Sequence, residues 1–171
     1  MAADSENRDF SIRAASPADA EQIARIYNFY IANTVITFEE KAVSSEEMSA
    51  RITEVLGQGL PWLVAESGGE IVGYSYAARW KSRSAYRHSV ETTIYLKDGA
   101  SGRGIGKALY AALFPILRQL GIHAVIGGAA LPNAASVALH ESLGFERVGT
   151  FRQVGFKHDR WVDVAYWQLI L

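Results

Sequence analysis

The chain has 171 residues, 49% of them hydrophobic and 20% charged, enough to bury a large share of its apolar surface in one domain. Its 17 basic and 18 acidic side chains leave a net charge of -1, which supplies no global field for gripping nucleic acid or anionic lipid, so neither is expected as a partner. It has no cysteine, which excludes disulfides, thiolate metal sites and a cysteine acyl-enzyme, so any acyl transfer would be direct.

Residues 1–9 (MAADSENRD) are polar and read as a disordered tail ahead of a single domain over 10–171. No segment approaches the roughly 20 apolar residues of a membrane span, and the start has no apolar signal region, so a cytoplasmic protein is expected. A short strand over 10–14 leads into Ser16-Pro17, where serine suits a helix cap and proline the first helical position, and a helix runs on to about Asn33. Ser44-Ser45-Glu46-Glu47 is a capping-box pattern ahead of a second helix ending near Gly57. The β-prone runs 62–67 and 71–79 are joined by Gly68-Gly69, a hairpin signal. A strand over 89–96 precedes a helical pattern over 104–120, in which Pro115 predicts a kink. A buried strand over 123–129, a helix over 133–143 stopped by Gly144, and strands over 146–154 and 161–171 complete the order.

The sharpest local motif is Ser101-Gly102-Arg103-Gly104-Ile105-Gly106-Lys107, between a strand and a helix start. Such a turn exposes backbone N–H groups, and the helix dipole favours a phosphate there. A Walker loop would need glycine at Ser101 and a hydroxyl residue at Ala108, and a dinucleotide fingerprint would need glycine at Lys107; both fail. Another pyrophosphate carrier remains, with coenzyme A the natural candidate.

The run Gly102-Arg103-Gly104-Ile105-Gly106-Lys107-Ala108-Leu109 resembles the coenzyme A pyrophosphate loop of GNAT acetyltransferases. The stretch from Asn133 to Phe145 is similar to that family's later helix, opened by asparagine and closed by Gly-Phe. Ser101 departs from the glutamine or arginine usual there. Residues 80–95 (WKSRSAYRHSVETTIY) and 155–169 (GFKHDRWVDVAYWQL) resemble the phosphinothricin acetyltransferase subfamily, so the likeness covers 12–171.

The resemblance implies an α/β (α+β) GNAT fold, a central mixed sheet flanked by helices, whose middle strands part to admit acetyl-CoA as cosubstrate. It implies N-acetylation of a small amino-acid-like acid such as phosphinothricin, methionine sulfoximine or methionine sulfone, in a ternary complex, and a homodimer. Glu91 stands at the family's catalytic glutamate, taking the amine proton directly or through water; on strand period alone it reads as a solvated glutamate, sharing a face with Thr93 and Tyr95. Ile94, Tyr95 and Leu96 would hold the pantetheine arm through their backbone, and Gly102, Arg103, Gly104, Ile105, Gly106, Lys107, Asn133 and Ser136 the rest of the coenzyme.

The basic cluster 79–88 suits an anionic acceptor, with Arg83 as the main carboxylate anchor and Lys81 as a secondary charge. The resemblance implies that Ser82, Tyr86, Thr92, Thr93 and Phe38 complete the acceptor site, with core packing an equal explanation for Phe38. His140 stands where the resemblance implies a proton donor to the departing thiolate, and as the subfamily's histidine it is either that general acid or a hydrogen-bond partner of the substrate's phosphinyl or sulfoximine oxygen. Asn133 also suits a helix cap. His88, His123 and His158 share no ligand spacing, so no metal is expected. Two rivals remain, acetylation of a protein N-terminus or polyamine, and a non-catalytic coenzyme A sensor.

Overall fold

Alternating strand faces and helical stripes set the layers. The computed structural model describes residues 9–171, and residues 1–8 of the expected tail lie outside the described residues. The strands are β1 (Ser11–Ala14), β2 (Trp62–Ser67), β3 (Glu70–Arg79), β4 (Ser89–Leu96), β5 (Ala124–Ala130), β6 (Glu146–Lys157) and β7 (Arg160–Ile170). The helices are α1 (Ala20–Asn33), α2 (Ser45–Gly57), α3 (Ile105–Gln119) and α4 (Ala134–Ser142).

The helix starts follow their caps. Ser16 donates its backbone N–H to Asp19 at 2.8 Å in the 3-10 turn that feeds α1, and Ser44 Oγ accepts the Glu47 N–H at 3.1 Å at the head of α2. Gly68 and Gly69 both have positive φ and close the β2–β3 hairpin. α3 continues through Pro115, which is exposed. β6 extends past its expected end at Val154, because the strand crosses a bulge between Phe151 and Gly155 and resumes pairing at Gly155 with Val162. In the bulge Gln153 has φ 53°, and its N–H is taken by Asp163 Oδ1 at 2.8 Å.

The seven strands form one mixed sheet in the order β1-β2-β3-β4-β5-β7-β6. Among the described residues the only parallel pair is β4 with β5, and it holds for Ser89, Val90 and Glu91 opposite Ala124, Val125 and Ile126. Beyond Glu91 the two strands run on without pairing, so the sheet opens at its centre.

Cross-strand partners share a face. One face carries Trp62, Val64 and Tyr74 under α1 and α2, whose Ile23, Ile31, Met48 and Ile52 are buried against it. The other carries Val90, Val125 and Trp167, packed under Leu109, Leu113 and Leu117 of α3. Each such leucine contributes about 1.5–3 kcal/mol by leaving water. The two layers hold the parted strands from opposite sides.

Candidate active site

At the head of α3, Gly104 is the N-cap with φ 75° and Gly102 has φ 81°, left-handed conformations that a Cβ would strain. This turn aims the first amides of α3 outward, and a Cβ on either glycine would project into open space. The loop residues Ser101, Gly102, Gly104, Gly106 and Lys107 line one end of a cavity of about 620 Å³. The cavity passes through the gap between β4 and β5 and ends at Glu91, Thr93 and Phe38.

Glu91 is half-buried. Burial pushes its carboxyl above the usual range, and the Lys81 ammonium opposes that shift in part. It lies over Gly128 of β5, its Oε1 3.3 Å from the point where a Cβ on Gly128 would sit, with Tyr166 Cε1 2.9 Å from the same point. Tyr76 pairs with Thr93 and Ala78 with Glu91, so all four side chains share the acceptor face. Tyr166 meets Trp80 and Phe151 edge-on, each with ring centres 5.8 Å apart. The carboxylate therefore stands in a largely aromatic surround.

His140 approaches from the opposite face and is 2% exposed. Its ring lies over Gly127, stacks on Trp167 at 5.7 Å and meets Phe145 edge-on at 5.0 Å. Nδ1 lies 2.7 Å from the Ser136 carbonyl oxygen. A carbonyl only accepts, so Nδ1 carries the proton and the neutral ring presents a lone pair at Nε2. Nε2 is buried without a hydrogen-bond partner among the described residues. Burial lowers the imidazole's pKa while the Ser136 carbonyl opposes the shift, so the ring is neutral at pH 7.

Thus Phe38, Glu91, Thr93, His140, Asn133 and Ser136 border the same cavity as Ile94, Tyr95, Leu96 and the glycine loop. Thr92 also borders it, but its hydroxyl turns from Glu91 toward Tyr110 Oη at 3.3 Å. Asn133 Oδ1 accepts the Ser136 N–H at 3.1 Å, which makes it the cap of α4. The Leu96 carbonyl accepts from Tyr30 Oη at 2.6 Å. Arg103 is exposed on the loop and does not border the cavity.

The basic segment is gathered less closely. Lys81 and Ser82 border a second cavity of about 490 Å³ with Arg51, Trp62, Tyr76 and Trp80, and Lys81 Nζ sits 4.6 Å from the centre of the Trp80 ring. Arg83 and Tyr86 are exposed at the 3-10 turn Ser84–Tyr86 and border neither space. Sequence reasoning did not single out Tyr76, Tyr166, Gly127 or Gly128. Register with Thr93 and with Gly128 is what recruits the tyrosines, and register is not visible in one strand alone. Among the described residues no three His, Asp or Glu side chains are grouped to hold a metal ion, and no helix is long and apolar enough to cross a membrane.

A mixed sheet that parts beside a glycine-turned helix start, with a carboxylate across the gap, defines an acyl-transfer site built mainly from backbone. Residues 12–166 match the acetyltransferase (GNAT) domain family, and the chain belongs to it. It is 38% identical to the phosphinothricin N-acetyltransferase of Streptomyces viridochromogenes, over 95% of this chain and 88% of that protein. It is also 38% identical to the L-methionine sulfoximine/L-methionine sulfone acetyltransferase of Pseudomonas paraeruginosa, over 94% of each. Among solved structures it resembles a phosphinothricin acetyltransferase from Sinorhizobium meliloti in complex with AcCoA, with a TM-score of 0.91 and 40% identity over 95% of this chain and 89% of that one. A ribosomal-protein-alanine N-acetyltransferase from Brucella melitensis is equally near in shape, at TM-score 0.91 and 39% identity over 94% and 99% of the two chains.

Proposed function

We propose that residues 10–171 form one catalytic domain that moves the acetyl group of acetyl-CoA to the α-amino group of a small amino-acid-like acid such as phosphinothricin, methionine sulfoximine or methionine sulfone. The observation that carries this reading is one continuous cavity with the glycine loop at one end and Glu91 at the other. The loop amides hold the coenzyme's diphosphate, and the unpaired edges of β4 and β5 offer backbone groups to its pantetheine arm. The amine arrives on the other face of the sheet.

There Glu91 takes a proton from the ammonium, directly or through a water, and the free amine attacks the thioester carbonyl. The C–S bond breaks, and the proton that the attacking nitrogen sheds as the amide forms passes to the departing thiolate. Because Nδ1 of His140 is committed to Ser136, Nε2 serves as an acceptor, for the thiol or for a substrate N–H or O–H, and not as the acid. Tyr166, held edge-on between Trp80 and Phe151, flanks the Glu91 side. Lys81, whose charge is felt at Glu91, supplies positive charge for the acceptor's carboxylate.

The apolar side chains Val148, Phe151, Val154 and Phe156 are exposed along β6, an edge strand, which supports a homodimer.

The likeness to the Brucella protein favours one second reading, acetylation of a protein N-terminus. Thiol release from acetyl-CoA separates the two. Turnover is expected with phosphinothricin, methionine sulfoximine and methionine sulfone and not with spermidine; faster turnover of a short alanine-ended peptide than of all three would reverse the choice.

A further inference from the structure

The loop between α1 and α2 is pinned to the far hairpin by a buried ammonium. Lys157, near the end of β6, is 2% exposed, and its Nζ donates to the Thr37 carbonyl at 2.9 Å across 120 residues of sequence. A lysine so buried loses rotamer freedom and hydration, and is expected only where its contact offsets both. Two residues earlier, Gly155 lies under the Phe38 ring, where an added Cβ would collide with Cζ and Cε2 and come within 2.6 Å of Cε1. Val35 closes the contact, buried with Val162 and Ala130.

The helical side holds the same loop. Thr37 Oγ1 and Tyr27 Oη lie 2.7 Å apart, Tyr27 donates to Glu39 at 2.9 Å, and Arg51 binds Glu39 with contacts of 2.7 and 3.0 Å. Burial lowers the pKa of Lys157 and the nearby Glu40 charge opposes the shift. Ile36, Thr37 and Phe38 then form the cavity wall that looks onto the Glu91 end.

We propose that Lys157 is a positioning residue of the acceptor site, holding Thr37 so that Phe38 stays seated on Gly155 as the wall of the Glu91 cavity. This rests on the reading that the amine occupies the Glu91 end. The contacts hold Thr37 and Phe38 and touch no residue of the glycine loop, so acceptor binding depends on them more than coenzyme binding does.

The test is steady-state kinetics on the intact enzyme, with wild-type turnover of an amino-acid acceptor measured first. If wild type acetylates only another amine, the acceptor reading fails, and the Lys157 comparison is made with that amine instead. Lys157→Met keeps the chain length and removes the donor. It should raise KM for the acceptor about tenfold, the loss of one charge-assisted hydrogen bond, with KM for acetyl-CoA changed less than about twofold. Gly155→Ala should move the same constant the same way by unseating Phe38, and serves alone if Lys157→Met does not fold. In a Phe38→Leu background either change should add less than about twofold, since the wall they hold is already altered. Equal rises in both KM values, or a full effect of Lys157→Met and Gly155→Ala on top of Phe38→Leu, would overturn the assignment.

Discussion

Gly127 and Gly128 are neighbours on β5 whose absent side chains face opposite sides of the sheet, so alanine at each should perturb a different half of the site. Neither has positive φ, and the effects are therefore steric. A Cβ at Gly127 falls on the His140 ring, 2.6 Å from Cδ2, roughly 1 Å inside the optimum for two carbons. The ring cannot retreat, because Trp167 stacks on it, Phe145 abuts it and Ser136 holds Nδ1. Overpacking of this kind costs about 1–3 kcal/mol, offset by about 0.4–1 kcal/mol from a less flexible unfolded chain. A net loss of about 1–2 kcal/mol lowers Tm by roughly 2–8 °C at this chain length.

At Gly128 the new methyl meets Tyr166 Cε1 at 2.9 Å and Glu91 Oε1 at 3.3 Å, both on side chains that border open space and can yield. Tm should then stay within about 2 °C of wild type. Displacing the Glu91 carboxylate should instead lower kcat/KM for the amine about tenfold. Thermal unfolding and thiol-release kinetics on the two variants read this directly. A Gly127→Ala protein with wild-type Tm, or a Gly128→Ala protein that loses stability while keeping its kcat/KM, would refute the opposite-face geometry.

Glu91→Gln should lower kcat by about 100-fold while acetyl-CoA binding persists, checked by turnover and calorimetric titration. Burial raises the Glu91 pKa, so the basic form is complete only above that raised value; the acid limb of the wild-type kcat profile should lie above 4.5 and vanish in the variant. By the same sign, the stability Glu91 contributes is present below its unfolded pKa and lost as pH rises through the folded one. Glu91→Gln should thus be at least as stable as wild type at pH 7 by thermal unfolding. Gly104→Val strains a left-handed position and fills the space in front of the α3 amides, so KM for acetyl-CoA should rise more than KM for the amine. Arg83 is exposed and outside both cavities, so Arg83→Ala should change kcat/KM by less than about twofold with an amino acid and with its decarboxylated amine alike; a loss confined to the amino acid would restore Arg83 as the carboxylate anchor.

Local chemistry made much of this protein legible in one dimension. Ser44, Gly68-Gly69 and Gly104 declare helix starts and turns because caps and left-handed backbones are requirements of neighbouring atoms. Period two on β4 likewise separates Glu91, Thr93 and Tyr95 from Val90, Thr92 and Ile94. The glycine loop is readable as a left-handed turn into a helix start for the same reason.

Tertiary structure decided what no short window contains. Pairing of β4 with β5 stops after Glu91, which opens the sheet. Register places Tyr76 and Tyr166 beside a carboxylate distant in sequence, and the bulge at Gln153 carries β6 on to bring Gly155 beneath Phe38 and Lys157 to the Thr37 carbonyl. The basic cluster shows the limit from the other side. Its charges are contiguous in sequence, yet Arg83 stands exposed and outside both cavities, because an exposed loop has no packing to converge its side chains. His140 makes the same point chemically: its residue type allows acid, base or ligand, and only the Ser136 carbonyl 2.7 Å from Nδ1 decides where its proton sits.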